Sequence, residues 1–250
     1  PSTLDKLDRF LIGAKSKLSV FLKVDCGAGR AGVDAQAAES LALAKKLYNS
    51  SVLEFKGILT HAGHSYRCKS GDEACIVAAQ ERDVMVTFAQ TLRKAGILCH
   101  EVSVGSTPTA IHGQSWSGVT EIRPGNYLFF DQFQVDIGSC LQQDCAAFVL
   151  TRIIGHYPVR NQLLIDAGAL ALSKDPGATH VFSEPGFGAV VGHPELKVMS
   201  LTQEHGSLSA EKPIQFENFP IGSQLKIIPN HSCLTAALYS KYQGVEGDEV

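Results

Sequence analysis

The order of strands and helices in the first half of the sequence most constrains the fold. Apolar runs rich in β-branched residues predict strands over residues 18–25, 55–60, 97–104 and 119–122. Apolar residues at helical spacing predict helices over residues 34–49 and 72–94, with Asp34 as an N-cap and Gly96 just past a helix end. Polar or glycine-rich residues follow each strand. This alternation predicts a parallel sheet with a site at the C-terminal strand ends.

The rhythm changes near residue 145. Short apolar runs separated by Gly, Pro and Asn now lie at residues 146–154, 162–165, 189–191 and 224–228. This pattern predicts a mostly β domain. We therefore expect an α/β chain with two domains, residues 1–145 and residues 146–250.

Composition narrows the class of protein. The 250 residues are 44% hydrophobic and 19% charged, enough to build a substantial core, and the net charge of -3 gives no footprint for nucleic acid or an anionic membrane. No apolar run is long enough to span a bilayer, and no secretory signal is visible. Seven cysteines without a CxxC pair indicate free thiols in a reducing compartment, so we expect a cytoplasmic protein.

A glycine-rich turn follows the first predicted strand. Residues 27–32 match the G-x-G-x-x-G pattern of dinucleotide-binding proteins. The acidic residue that should end the next strand is missing, because Glu54 begins that strand and His61 follows it. We favour an ordinary βα loop in which Asp25 pairs with Arg30.

Two further turns suit an anion. Gly105, Ser106 and Thr107 follow one predicted strand, and Gly125 with Asn126 follows the next. Small residues let backbone N–H groups approach a phosphate, and successive barrel strands are its usual position. An ordinary helix cap and an ordinary turn explain the same residues equally well.

His231 and Cys233 place an imidazole and a thiol two residues apart, on one face of an extended segment. Nitrogen and sulfur are ligands that zinc accepts, although two ligands alone do not make a site. His61 and His64 flank a glycine at a strand end. This position fits either a functional site or a solvated loop.

Together these segments resemble the eukaryotic-type D-serine dehydratases. This family belongs to the alanine racemase-like (fold type III) pyridoxal phosphate enzymes, in the branch that includes the D-threonine aldolases. The matching motifs follow in family order over nearly the whole chain: VDCGAGRAGV (24–33), HAGHSY (61–66), VGSTPT (104–109), EIRPGNYLFFD (121–131), DAGALALSKD (166–175), EHG (204–206) and PNHSC (229–233).

The resemblance implies a partial TIM-like (β/α) barrel followed by a β domain that carries the metal ligands. It implies two cofactors, pyridoxal 5′-phosphate and Zn2+. By this resemblance, Tyr66 contacts pyridoxal phosphate, and Thr107, Gly125 and Asn126 bind its phosphate. His231 and Cys233 bind zinc.

The implied reaction converts D-serine to pyruvate and ammonia in a homodimer. D-Threonine is a further substrate that the resemblance leaves open. The aldolase branch typically has an acidic residue where this chain has Cys233, and a thiolate prefers zinc to harder metals. The cysteine therefore favours dehydration over retro-aldol cleavage to glycine and an aldehyde, and product analysis separates the two.

One departure from the family concerns the Schiff-base lysine. The family's lysine ends the first barrel strand, and no segment here corresponds to it. Lys23 lies within a predicted strand and Lys174 within a later motif, so neither is assigned to that role. We expect a fragment that begins about three βα units late in the barrel. If the chain is complete as written, a non-catalytic cofactor-binding protein is the alternative.

Overall fold

The computed structural model describes residues 2–245, which divide into two compact units. The first unit ends at Gly125 and the second begins at Asn126. Each has its own hydrophobic core. Within the described residues, no helix combines the length and apolar character needed to cross a membrane.

The first unit is a parallel sheet with helices. Its strands are β1 (Leu18–Asp25), β2 (Val33–Asp34), β3 (Leu53–Leu59), β4 (Glu101–Val104) and β5 (Glu121–Ile122). Its helices are α1 (Ser2–Leu11), α2 (Ala38–Tyr48), α3 (Gly71–Lys94) and α4 (Thr107–His112). The strands pair in the order β2-β1-β3-β4-β5, and every pairing is parallel. The prediction of a parallel sheet is confirmed.

Helix α3 supplies much of the apolar cover of this unit. Its buried side chains recur at helical spacing and include Ala78, Met85 and Leu92. Met85 and Leu92 belong to one core with buried sheet residues such as Ile58. Gly96 follows the helix with φ +78°, the left-handed conformation expected just past a helix end.

Two predicted boundaries are wrong. Asp34 does not cap α2, which begins at Ala38, because its backbone pairs with Asp25 in the sheet and its carboxylate accepts the Gln36 N–H. Strand β4 begins four residues later than expected. The preceding segment closes α3 instead: Ile97 N–H donates to the Leu92 carbonyl at 3.0 Å.

The second unit contains a closed antiparallel barrel. Its strands are β6 (Val149–Tyr157), β7 (Gln162–Ile165), β8 (Ala189–Val190), β9 (Lys197–Leu201), β10 (Gly206–Ser209) and β11 (Gln224–Ile228). Three short helices accompany them, α5 (Gln132–Asp136), α6 (Ala169–Leu172) and α7 (Ser232–Ala236). The barrel order is β10-β7-β6-β11-β8-β9. This architecture agrees with the mostly β character expected of the second half.

The barrel interior follows the alternation of side chains along a strand. In β6, Val149, Thr151 and Ile153 are buried, whereas Leu150 and Ile154 are exposed. Ile153 is fully buried in the core of the second unit. Inward positions therefore carry the apolar packing of this barrel.

We predict that Ile153→Ala lowers the free energy of unfolding by about 2–5 kcal/mol, because it leaves a cavity in the barrel core. The matched variant Ile154→Ala, whose wild-type side chain is 39% exposed, should cost less than about 1 kcal/mol. Urea denaturation followed by circular dichroism measures both. Equal losses would mean that β6 does not turn Ile153 inward.

Candidate functional site

The C-terminal strand ends of the first unit are joined by polar contacts. Arg123, directly after β5, donates from Nε to the Ser103 hydroxyl at 2.6 Å and from Nη2 to the Thr60 carbonyl. Its backbone N–H also donates to the Val104 carbonyl at 2.9 Å. One side chain thus links the ends of β3, β4 and β5.

Gly105 lets two strand ends approach closely. Its φ is +135°, and a Cβ built on it would lie 2.7 Å from the Arg123 nitrogen, so a larger residue does not fit. The Gly105 carbonyl accepts a hydrogen bond from His61 Nδ1 at 3.0 Å. Burial lowers the pKa of His61, which favours the neutral imidazole. These contacts hold the turn before Thr107 in one position.

The turn at Ser106 is also a helix cap. The Ser106 hydroxyl accepts the Thr109 N–H at 3.3 Å, and the Thr109 side chain accepts the Ser106 N–H at 3.1 Å. The Ser65 and Ser106 hydroxyls are 2.8 Å apart and hydrogen-bonded. Thr107 is fully buried behind them. The helix-cap interpretation therefore holds for Ser106, and it leaves a phosphate-binding role of the turn open.

Glu81 is a fully buried carboxyl group on α3. Its Oε1 accepts the Gly105 N–H at 2.9 Å, whereas its Oε2 is buried with no hydrogen-bond partner among the described residues. Burial raises the pKa of Glu81. This residue therefore fixes the turn that follows β4 to helix α3.

The carboxylate of Asp25 accepts hydrogen bonds from the glycine-rich loop that follows β1. Asp25 accepts the backbone N–H groups of Gly27 at 2.9 Å and Gly29 at 3.0 Å, and these bonds lower the pKa of Asp25. The expected ion pair with Arg30 is absent from the part of the chain that the structure describes. The carboxylate is already occupied by its own loop.

His231 and Cys233 lie next to each other in the second unit. His231 Nδ1 donates to Asp175 Oδ2 at 3.1 Å. The hydrogen bond to Asp175, followed by one to Cys233, raises the pKa of His231 to about 10. The same contact with His231 lowers the pKa of the Cys233 thiol. These pKa shifts favour an imidazolium and a thiolate held together beside the Asp175 carboxylate.

Asp131 anchors the loop that carries these two residues. It is fully buried and accepts hydrogen bonds from the Asn126 side chain, the Ser232 N–H at 2.8 Å and the Gln134 N–H at 3.0 Å. Asn126 Nδ2 also donates to the Ser232 hydroxyl at 3.2 Å and lies 4.0 Å from the Cys233 sulfur. The second unit thus brings three predicted residues together: Asn126, His231 and Cys233.

The nitrogen and sulfur atoms of His231 and Cys233 are of the types that bind zinc. Imidazole nitrogen and thiolate sulfur are its preferred ligands, and a metal-binding histidine usually donates its other ring N–H to a carboxylate, as His231 does to Asp175. Among the described residues no third His, Cys, Asp or Glu completes a ligand group. Two protein ligands would leave coordination positions for water or substrate.

The other predicted residues lie in the first unit. Tyr66 is in the 3-10 helix Gly63–Arg67 after β3, with its ring centroid 6.2 Å from that of His61. Thr107 begins α4. Gly125 follows β5, and a Cβ built on it would meet no atom within 4 Å. His64 has both ring nitrogens buried, which contradicts a solvated loop at this position.

Sequence analysis missed three residues that organise these clusters. Glu81 falls on the buried stripe of α3 between Ala78 and Met85, and an acidic residue in such a stripe is a detectable signal. Asp131 and Asp175 end two of the family motifs, but their spacing alone gave them no role.

Comparisons with known proteins agree with this architecture. Residues 1–132 match the family described as alanine racemase, N-terminal domain, and residues 146–245 match the putative serine dehydratase domain. D-serine dehydratase of Dictyostelium discoideum is 40% identical over 94% of this chain and 62% of its own length.

Solved structures of D-threo-3-hydroxyaspartate dehydratase are also similar. A variant with a cysteine replaced by alanine, described as metal-free, gives a TM-score of 0.93 at 33% identity, covering 99% of this chain and 68% of its own. A variant with a histidine replaced two positions earlier gives a TM-score of 0.89 at 34% identity, covering 95% and 63%.

This chain has a parallel sheet followed by a closed β barrel, and its fold is similar to that of solved alanine racemase-like structures. The chain belongs to the alanine racemase-like family, and its second half matches the putative serine dehydratase domain. It spans 62% of the length of the Dictyostelium relative, slightly less than two thirds. The resemblance inferred from the motifs is confirmed.

We predict that Glu81→Ala lowers the free energy of unfolding by about 2–4 kcal/mol, because it opens a cavity and leaves the Gly105 N–H without an acceptor. Asp83→Ala is the matched control on the same helix. Its side chain is 66% exposed and pairs with Arg82 at the surface, so the loss should stay below about 1 kcal/mol. Urea denaturation compares the two.

Glu81→Gln gives a pH-dependent prediction. Burial raises the pKa of Glu81 in the folded state, so wild-type stability falls as the pH rises through that pKa, above the ordinary value of 4.5. Glutamine cannot ionise. The stability of Glu81→Gln relative to wild type should therefore increase from acidic to neutral pH in urea titrations. A difference that is constant with pH would contradict a raised pKa.

Proposed function

We propose that the whole protein to which this chain belongs is a D-serine dehydratase that depends on pyridoxal 5′-phosphate and zinc. It would convert D-serine to pyruvate and ammonia. The observation that carries the proposal is the His231–Cys233 pair with Asp175 on the imidazole. The metal-free relative supports it, because that variant lacks a cysteine two positions after a histidine.

Residues that follow the parallel strands suit the phosphate of the cofactor. We assign Thr107 and Gly125 to this role, together with Asn126, and Tyr66 to a contact with the cofactor. The turns that carry Thr107 and Gly125 follow neighbouring parallel strands, where backbone N–H groups and hydroxyls can bind an anion. The Asn126 Oδ1 is buried without a partner, which is compatible with a ligand contact there.

Each cofactor would supply a distinct chemistry. When bound, pyridoxal phosphate supplies an electron sink for loss of the Cα proton, and zinc supplies Lewis acidity for departure of the β-hydroxyl. His231 and Cys233 would hold the metal, and Asp175 would orient His231 through Nδ1. Glu81 would keep the Gly105 turn in place. The Schiff-base lysine is assigned to no residue of this chain.

The architecture of the whole protein follows from the same family. We propose that the parallel sheet is part of a TIM-like barrel, consistent with the sequential order of β1, β3, β4 and β5. We retain the domain boundary near residue 145 as a prediction. A cytoplasmic homodimer is the proposed state, and small D-amino acids are the proposed substrates.

Product analysis tests the reaction. The protein purified from its source is incubated with D-serine and, separately, with D-threonine. Dehydration yields pyruvate and ammonia from D-serine, and 2-oxobutanoate and ammonia from D-threonine. Glycine with an aldehyde would instead support the alternative, a D-threonine aldolase. Cofactor binding without turnover would support a non-catalytic binding protein.

The metal role predicts two graded losses. Cys233→Ala should abolish stoichiometric zinc binding and D-serine turnover, because it removes one of the two proposed protein ligands. Asp175→Asn should weaken zinc binding by about 10–100-fold, because the imidazole loses its orienting carboxylate. Zinc is measured by competition with a chelator. Cys75→Ser, on α3 of the other unit, is the control that should bind as wild type. D-serine turnover by Cys233→Ala after zinc removal would disprove the metal role.

A further inference from the structure

Asn230 is a buried amide directly before the proposed metal ligand His231. Its side chain is 1% exposed. The Nδ2 atom donates one hydrogen bond to the Asp175 carbonyl at 2.9 Å and a second to the Gly186 carbonyl at 2.8 Å. An asparagine amide has two protons, so both are used here. They join both ends of the segment 175–186 to the residue beside His231.

The backbone around Asn230 is also fixed. Gln132 and Phe133, the first residues of α5, donate their N–H groups to the carbonyls of Pro229 at 3.0 Å and Asn230 at 3.3 Å. The first N–H groups of a helix have no partner inside the helix, so these bonds satisfy them and attach residues 229–230 to α5. The Asn230 amide therefore projects from an anchored backbone.

The hydrogen bonds of Asp175 define one position for its carboxylate. The Asp175 carbonyl accepts from Asn230, and its N–H donates to the Ser173 hydroxyl at 3.3 Å. The carboxylate Oδ1 accepts the Gly177 N–H at 2.9 Å, and Oδ2 accepts from His231 Nδ1 at 3.1 Å. Asp175 lies in neither a helix nor a strand, so these bonds determine where its carboxylate points.

Gly177 shows how closely the Asn230 amide packs against this loop. Its φ is +73°, and a Cβ built on it would lie 2.8 Å from Asn230 Nδ2. Both the left-handed backbone and the close contact favour glycine at this position. The loop that carries Asp175 is therefore built around the Asn230 side chain.

We infer that Asn230 is a positioning residue, which holds the Asp175 carboxylate against His231 and so raises the affinity of the metal site for zinc. The inference rests on the proposed metal role of His231 and Cys233, and it gives Asn230 no contact with the metal. A metal-binding histidine depends on the partner of its other ring nitrogen, whose loss costs about 10–100-fold in metal affinity. Here the position of that partner depends in turn on Asn230.

A double-mutant cycle tests whether Asn230 acts through Asp175. Zinc affinity of the whole protein is measured by competition with a chelator in wild type, Asn230→Ala, Asp175→Asn and the double variant. Asn230→Ala should weaken zinc binding by about 10–100-fold, because the Asp175 loop loses its anchor. The double variant should bind within about twofold of Asp175→Asn, because both changes remove the same interaction. A double variant that shows the product of the two single losses would overturn the inference.

Asn161→Ala is the matched control for lost stability. The Asn161 Nδ2 also donates to two carbonyls, those of Ala210 and Lys212, each at 2.9 Å, but it lies at the turn between β6 and β7. Asn161→Ala should lower the free energy of unfolding in urea and leave the zinc affinity at the wild-type value. An equal loss of zinc affinity in Asn161→Ala would mean that destabilisation alone explains the effect.

Asn230→Ser is a milder second variant, useful if Asn230→Ala does not fold. A serine hydroxyl has one proton and cannot donate to both carbonyls. Its zinc affinity should therefore lie between those of wild type and Asp175→Asn. Wild-type affinity in Asn230→Ser would contradict the need for both hydrogen bonds.

The His231 ring gives a readout that needs no zinc. In protein labelled with 15N-histidine, the Nδ1 proton in the bond to Asp175 should be protected from exchange with water. The resonance is assigned by its loss in Asp175→Asn. Protection should be lost in Asn230→Ala and kept in Asn161→Ala.

These measurements separate the two claims. A wild-type protein that binds no zinc would overturn the proposed function together with this inference. Zinc binding by wild type with unchanged affinity and unchanged His231 protection in Asn230→Ala would overturn the inference alone.

Discussion

Parallel hydrogen bonding between β1, β3, β4 and β5 determines which edge of the sheet in the first unit can hold functional side chains. Since all four strands run in one direction, their C-terminal ends meet at one edge, and every loop that follows a strand begins there. The Arg123 side chain joins three of these ends, and Gly105 allows the close approach of the Arg123 backbone. Glu81 holds the same turn from behind. The predicted residues Tyr66 and Thr107 therefore both lie in segments that begin at this edge of the sheet.

The second unit positions its residues by a different means. Asp131 is a carboxylate without access to water, and burial of such a group is costly unless donors surround it. Donors from Asn126, Gln134 and Ser232 meet that need. As a result, the loop of His231 and Cys233 is tied to the segment after Asn126, although about a hundred residues separate them in sequence.

The two units offer complementary ligand types. The first presents small turns and hydroxyls, to which we assign the binding of an anion. The second presents nitrogen and sulfur beside a carboxylate, which suit a soft metal ion.

Periodicity and motif order in the sequence determined the parallel sheet, the mostly β second half and the family, because each depends on local patterns. Strands such as Leu18–Asp25 and Gln224–Ile228 fall where apolar runs predict them. The tertiary structure decided the remaining features. Asp34 lies in a strand because it pairs with Asp25. Glu81 and Asp175 have roles because the fold places the distant donors Gly105 and His231 beside them. Such contacts depend on burial and on long-range neighbours, which residue spacing does not encode.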